Sequence, residues 1–323
     1  MKVLVTGGAG YIGSHTVQEL LKQNYEVVIV DIIDLQHRDA LPGVSFYQGD
    51  ILDKDFLNGV FQKERVEAVI HFAALKAPGE SMREPAKYFY NNITGTVSLL
   101  DVMIHNDVRT IVFSSSCAIF GNPQRLPVSE DIPFSPESVY GETKLMGETV
   151  LKWFDKTAGI KYSALRYFNA AGASLDNSIG EDWSHTENLI PITMKAAMGV
   201  TPSISIFGSD YNTPDGTAIR DYIHVVDLAV AHVKALEHTV QTRASSTYNL
   251  GTGKGNTVRE VVEAVKAVSN RDFKVIEAPR RLGDPAAIWA DCSKAERELG
   301  WKAQYSLDTI IQSAWKWHST HSS

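Results

Sequence analysis

Short, almost wholly apolar runs, each followed by a helix-length segment, restrict this chain to few folds. Val3-Leu4-Val5, Val27 to Val30, Val44 to Tyr47, Ala68 to His71, Thr110 to Phe113 and Tyr162 to Leu165 form the series, and a helical stretch of about Ile12 to Lys22 separates the first two. A strand with one wet face alternates apolar and polar residues, whereas continuous apolar runs belong to a parallel sheet covered on both faces. Strand–helix–strand repetition with right-handed crossovers therefore predicts an α/β fold with a doubly wound parallel sheet.

After Ala170 the pattern loosens. Residues 171–189 are rich in Gly, Ser, Asp and Asn, and 208–217 read GSDYNTPDGT, a turn-forming cluster. A helix at about Val226 to His238 and a strand at Tyr248 to Leu250 read as a return to the sheet. Further helices are predicted near 257–269 and 306–317, with a frayed tail after Trp317. The expected division is a nucleotide-binding domain over 1–170 with returning segments at about 222–250. A smaller, discontinuous C-terminal α/β substrate lobe is expected from 171–221 and 251–323.

Composition narrows the function. Lys plus Arg is 31 against 38 for Asp plus Glu, a net charge of −7, which argues against nucleic-acid partners. No apolar run approaches the roughly 20 residues that span a bilayer, so no membrane association is expected. Cys117 and Cys292 are too few for a disulfide framework or a cysteine-rich zinc site, no cluster has metal-ligand spacing, and the chain opens directly into a strand pattern. A cytoplasmic protein without a metal is the expectation.

Thr6 to Gly13 reads TGGAGYIG between the first strand and first helix, so Gly8, Gly10 and Gly13 fit the dinucleotide fingerprint, with Gly7 as an extra. Glycine is required because the turn is tight and a pyrophosphate must reach the backbone at the helix N-terminus. Asp31 ends the second strand roughly twenty residues on, where a carboxylate accepts both adenosine ribose hydroxyls and repels a 2′-phosphate. A Rossmann domain binding NAD rather than NADP follows. Gly49-Asp50-Ile51, after the third strand, is placed to meet the adenine; taken alone, Asp50 reads as a helix N-cap.

Tyr140-Gly141-Glu142-Thr143-Lys144 places Tyr and Lys one turn apart on a helix face. Lowering a phenol from about 10 toward neutrality takes roughly 4 kcal/mol, the order that one cation at about 4 Å supplies in a partly screened site. Lys144, helped by the positive nicotinamide ring, is thus expected to make Tyr140 a usable base. Ser114-Ser115-Ser116 follow the strand Thr110 to Phe113 at its carboxyl end, where open α/β sheets bind ligands. By themselves, Ser114 and Ser115 read as turn serines bonded to their own backbone, and Ser116 as a donor to a reacting hydroxyl.

With these residues in place, the chain resembles the extended short-chain dehydrogenase/reductase superfamily and, within it, the UDP-glucose 4-epimerase family. The likeness runs through TGGAGYIGSH at 6–15, HFAALKAPGES at 71–81, FSSS at 113–116, YGETKLMGE at 140–148 and LRYFNAAGA at 165–173. It continues through NLIP at 188–191, DGTAIRDYIHV at 215–225, YNLGTGKGN at 248–256 and APRRLGDPA at 278–286. The resemblance implies a retained NAD and interconversion of UDP-galactose and UDP-glucose: oxidation at C4, rotation of the 4-keto sugar, and re-reduction on the other face. Tyr140 would take the 4-OH proton, Ser116 would hydrogen-bond O4, and Lys144 would hold the nicotinamide ribose. The implied cofactor contacts are Gly7, Gly10, Tyr11, Ile12, Gly13, Asp31, Asp50, Ile51, Phe72, Ala73, Ala74, Lys76, Asn91, Ser114, Tyr140, Lys144 and Phe168. The implied substrate contacts are Ser116, Tyr140, Asn169, Asn188, Leu189, Phe207, Arg220, Arg281, Asp284 and Ile288, with Arg220 and Arg281 on the diphosphate. A homodimer through helices near 87–105 and 140–157 is also implied. From spacing alone, Arg220 and Arg281 are as readily surface residues, and His71, His224, Trp315 and Trp317 read as packing residues.

The sequence departs from the family pattern in places. Ala118 stands where many epimerases carry Thr, Phe120 where Tyr is common, and Ile32-Ile33-Asp34 follow Asp31 in place of Asn-Leu. Ile288 occupies the position that gates the sugar, where tyrosine excludes an N-acetyl group; a rigid isoleucine implies preference for UDP-glucose and UDP-galactose and leaves N-acetylated sugars open. Two other readings stand beside the epimerase. A 4,6-dehydratase needs a carboxylate pair after the serine, yet Cys117, Ala118 and Ile119 follow Ser116. A non-catalytic nucleotide sensor on the same scaffold would have no use for Ser116, Tyr140 and Lys144 together.

Overall fold

The apolar runs are strands in the computed structural model, which describes residues 1–35, 38–183, 186–281 and 284–321. They are β1 (Lys2–Thr6), β2 (Glu26–Asp31), β3 (Ser45–Gln48), β4 (Ala68–His71), β5 (Thr110–Ser116) and β6 (Lys161–Tyr167). Beyond them lie β7 (Asn169–Ala171), β8 (Ser203–Phe207), β9 (Ile219–Arg220), β10 (Tyr222–His224), β11 (Ser246–Leu250), β12 (Asn256–Thr257), β13 (Lys274–Ala278) and β14 (Ala287–Ile288). Seven of these form one sheet in the order β11-β6-β5-β4-β1-β2-β3, and every pairing in it is parallel. The chain winds outward from β1 through β2 to β3, then restarts at β4 and winds the other way. The reversal therefore falls between β1 and β4, and the crevice at their carboxyl ends is where such sheets take ligands.

Successive strand residues face opposite layers. Val3, Val5, Val27, Ile29, Ala68 and Ile70 pack with Val17 and Leu20 of the helix Tyr11–Lys22 and with Leu228 and Leu236 of the helix Val225–Thr242. Leu4, Val28, Val30, Val69 and Ile111 pack on the other side against Leu57, Leu99, Met103 and Leu151. Both faces are dry, which is why the runs lack alternation.

The remaining strands make small sheets, β8 with β13, β9 with β12 and β14, and β7 with β10. Helices Leu189–Ala197, Val258–Ser269 and Leu307–His321 close a separate core around Met194, Val261 and Ile310. Two expectations are corrected here. The tail after Trp317 is helical to His321, because Trp317 and His318 are buried. The three serines are not a turn: β5 continues through them, paired with Leu165, Arg166 and Tyr167 of β6. His71 and His224 are structural, bridging Thr6 to Thr96 and joining Ser313 to the Val226 amide.

Candidate active site

The crevice beside β1 opens into a cavity of about 300 Å³. Its floor is the glycine turn. Gly7 sits at φ +73°, and a Cβ on Gly13 would lie 2.1 Å from the Gly7 carbonyl oxygen. The helix Tyr11–Lys22 starts at Gly10 with no side-chain cap, leaving its first N–H groups for an anion. Asp31 closes the far end; its carboxylate accepts from the Ala9 and Ile33 amides at 3.0 and 3.2 Å. Burial pushes this carboxyl upward against those hydrogen bonds. Asp50 lines the cavity but caps no helix: it accepts from the Leu52 amide, and Asp53 caps the helix Lys54–Glu64.

Of the residues expected at the cofactor, Gly7, Gly10, Tyr11, Ile12, Gly13, Asp31, Asp50, Ile51, Phe72, Ala73, Ala74, Lys76, Asn91, Ser114, Tyr140 and Lys144 all line this cavity. Phe168 does not; it is buried with Ile119, Phe120 and Ile288. Leu75 and Tyr167 line the cavity without having been singled out, and Ile32 and Ile33, the departure after Asp31, line it too. Tyr167 ends β6, just past the sixth apolar run, and its hydroxyl meets Ser114 Oγ, so it was hidden as an ordinary core aromatic.

The helix Val139–Ala158 delivers the reactive pair. Ser138 caps it by accepting from the Gly141 amide. Gly141 and Gly147 let it press onto β5 and the turn after it: a Cβ at Gly141 would lie 2.7 Å from the Ala118 carbonyl, and one at Gly147 2.6 Å from the Phe113 ring. That contact brings Tyr140 into hydrogen-bond reach of Ser116 and buries Lys144, whose Nζ donates to the Ser114 carbonyl at 2.7 Å. Burial pulls Lys144 down to about 7. It pushes Tyr140 up to about 12, partly offset by the Ser116 hydrogen bond. The Lys144 cation is 5.9 Å from the Tyr140 ring centroid, and among the protein's own groups desolvation dominates.

A second cavity, about 150 Å³, lies under the small sheets. Asn169, Asn188, Leu189, Phe207, Arg220, Arg281 and Asp284 line it. The two arginines that spacing left apart converge on one carboxylate: Arg281 Nε is 3.0 Å and Arg220 Nη2 3.4 Å from Asp284. Arg281 also lies 4.7 Å over the Phe207 ring. Ser116 and Ile288 line neither cavity; Ile288 is 5% exposed and sits in register with Arg220. Glu181, Glu187, Tyr222 and His318 line the second cavity unforeseen: the two glutamates lie in the Gly- and Ser-rich loop, which carries no periodic signal, and the other two in a strand and a helix where they read as core.

The two cavities match a dinucleotide enzyme acting on a nucleotide-sized anion, and comparison with known proteins narrows the choice. A family model described as GDP-mannose 4,6 dehydratase matches residues 4–314. A UDP-glucose 4-epimerase of Lactobacillus helveticus is 48% identical over 323 residues, covering 99% of this chain and 98% of that protein. This chain belongs to the UDP-glucose 4-epimerase family. The structure of UDP-glucose-4-epimerase from Stenotrophomonas maltophila, with bound NAD and formylated UDP-arabinopyranose, superposes with a TM-score of 0.96 at 42% identity over 100% of this chain and 99% of that one. That from Bifidobacterium longum, in complex with NAD+ and UDP, gives 0.95 at 40% over 100% and 99%. In this epimerase-family chain no helix among the described residues is long and apolar enough to cross a membrane, and no group of His, Cys, Asp and Glu there could hold a metal.

The glycine cradle fits NAD, since the absence of a side chain at Gly13 lets the helix start close onto the Gly7 carbonyl and keep its uncapped N–H groups at the cavity. Gly13→Ala is expected to weaken NAD binding about tenfold or more, because the Gly7 carbonyl must move away from the helix start. Absorbance of NAD released from the purified variant checks this; wild-type occupancy would remove the turn from the binding account.

Proposed function

We infer that this chain interconverts UDP-galactose and UDP-glucose with NAD held in the larger cavity. The observation that carries the reading is the meeting of Ser116, Tyr140 and Lys144 where the glycine cradle ends. NAD, when bound, supplies reversible hydride exchange at the sugar C4 and a positively charged ring. Tyr140 moves the 4-OH proton, and Ser116 orients that hydroxyl by hydrogen bonding. Lys144, fixed by the Ser114 carbonyl, supplies the cation that favours the phenolate. No carboxylate follows Ser116 in Cys117, Ala118 and Ile119, which disfavours dehydration despite the description of the matching family model.

The second cavity is assigned to the UDP moiety. Arg220 and Arg281 take the diphosphate, with Asp284 and Phe207 toward the uridine and Asn169, Asn188 and Leu189 toward the sugar. Residues 1–170 with the returning strand and helix are assigned to NAD, and 171–221 with 251–323 to the UDP-sugar. Tyr90, Met146 and Trp153 are exposed apolar residues on the segments expected to pair two copies, which supports a homodimer; a monomer mass by light scattering would refute it. Both cysteines are free thiols, in keeping with a cytoplasmic setting.

Incubation with UDP-galactose and no added cofactor, followed by chromatography of the nucleotide sugars, tests the reading. UDP-glucose is the expected product, and its absence even with NAD added would overturn the assignment. Arg281→Ala is expected to raise KM for UDP-galactose about tenfold or more while leaving bound NAD unchanged. Equal loss of both would assign the arginine to the fold.

A further inference from the structure

The lining of the smaller cavity contains a buried carboxylate that the reading above leaves without a part. Glu181 is 5% exposed and lines the smaller cavity. Its Oε1 accepts from Asn188 Nδ2 at 2.8 Å and from Thr186 Oγ1 at 2.9 Å. Its charge is felt by Tyr11 and eased by Lys76, both of the larger cavity.

The carboxylate is held from behind. Trp317 Nε1 donates to the Glu181 carbonyl at 3.2 Å. Gly180 lies so close under the same indole that a Cβ would sit 2.3 Å from it. Trp183 stacks on His318 with ring centroids 4.6 Å apart and planes 8° from parallel. The C-terminal helix thus clamps the backbone on both sides of the residue.

A carboxylate offers only acceptors, so the Asn188 amide must turn its NH₂ toward Glu181. Its carbonyl oxygen is then free to face a ligand hydroxyl. Without Glu181 the amide loses the partner that holds it and is free to turn and swing off the cavity, so the sugar hydroxyl loses its acceptor.

We propose that Glu181 is a positioning residue that fixes the Asn188 amide with its oxygen presented to the sugar of the bound nucleotide. This rests on the reading of Asn188 as a substrate contact. Glu181 touches no reacting atom, so its removal weakens substrate binding rather than the chemical step.

The test compares Glu181→Met, Glu181→Gln, Asn188→Ala and the Glu181→Met/Asn188→Ala double variant by steady-state kinetics on UDP-galactose, with NAD content measured on each. Methionine keeps the volume and removes the acceptor, and Glu181→Ala serves if methionine does not fold. Glu181→Met is expected to raise KM about tenfold with kcat within threefold and NAD content unchanged. Glu181→Gln keeps an acceptor and is expected to stay within about threefold of the wild-type KM. The double variant should be no worse than Asn188→Ala alone, since both changes remove one contact. Asn188→Ala effective with Glu181→Met silent, or the two effects multiplying, would overturn the proposal alone. So would a glutamine variant as poor as methionine. Asn188→Ala without effect would withdraw the substrate contact itself and the proposal with it.

Discussion

Tyr140→Phe is expected to lower kcat about a thousandfold while NAD content and KM for UDP-galactose stay within about threefold of wild type. The substitution deletes one hydroxyl and leaves the ring that lines the cavity. Its size follows from what the site must do to a buried phenol. Burial holds Tyr140 up at about 12, so reaching the phenolate near neutrality takes about 7 kcal/mol. Lys144, 5.9 Å from the ring centroid, returns about 3 kcal/mol of that at an effective dielectric near 20. The Ser116 hydrogen bond is already contained in the value of about 12, so the remainder falls to the charge of the cofactor. Lys144 is itself drawn down to about 7 by burial, so its ammonium is lost as pH rises through neutrality unless the phenolate forms beside it. A base assembled this way works only when both partners are present, and phenylalanine removes the acceptor outright. Near-normal turnover of the variant would discard the assignment.

Much of this was legible beforehand, for identifiable reasons. Buried parallel strands advertise themselves as unbroken apolar runs, and the glycine turn with Asp31 is dictated by local geometry. YxxxK is likewise local: one helical turn places both side chains together whatever the rest of the chain does. What remained hidden was long-range. Arg220 and Arg281 are distant in sequence, and the pairing of β9 with β14 brings Arg220 to Asp284, which Arg281 meets three residues away. Glu181 lies in an irregular loop, where neither period nor propensity reports a buried carboxylate. Ser114 and Ser115 misled because serine clusters usually mark turns, whereas here β6 supplies the partners that hold them in a strand. How far burial raises Tyr140 was hidden for a different reason: depth of burial is not written in spacing.

Arg166→Ala or Glu148→Ala is expected to cost about 3–5 kcal/mol of stability, the largest structural effect foreseen in this chain. The two side chains are 2% and 0% exposed, joined through Nε at 2.9 Å and Nη2 at 2.7 Å in a two-pronged contact. Glu148 also accepts from Ser115 Oγ at 2.6 Å, and the guanidinium lies 4.8 Å over Phe134. Together the pair ties the helix bearing Tyr140 and Lys144 to β5 and β6. Removing either partner strands a charge where water cannot reach it, so the penalty is desolvation rather than the lost attraction alone. A thermal midpoint lower by roughly 5–10 °C is the expected readout for each single change. Glu148→Leu/Arg166→Met removes both charges, fills similar volume, and should recover most of that loss. Ser115 would still lack its acceptor in the double variant, so β5 loses an anchor next to Ser116. Turnover is therefore expected to remain below wild type after stability returns. A double variant as unstable as the two single changes added together would show that the charges act independently, and the helix would then owe its placement to the close approach at Gly141 and Gly147.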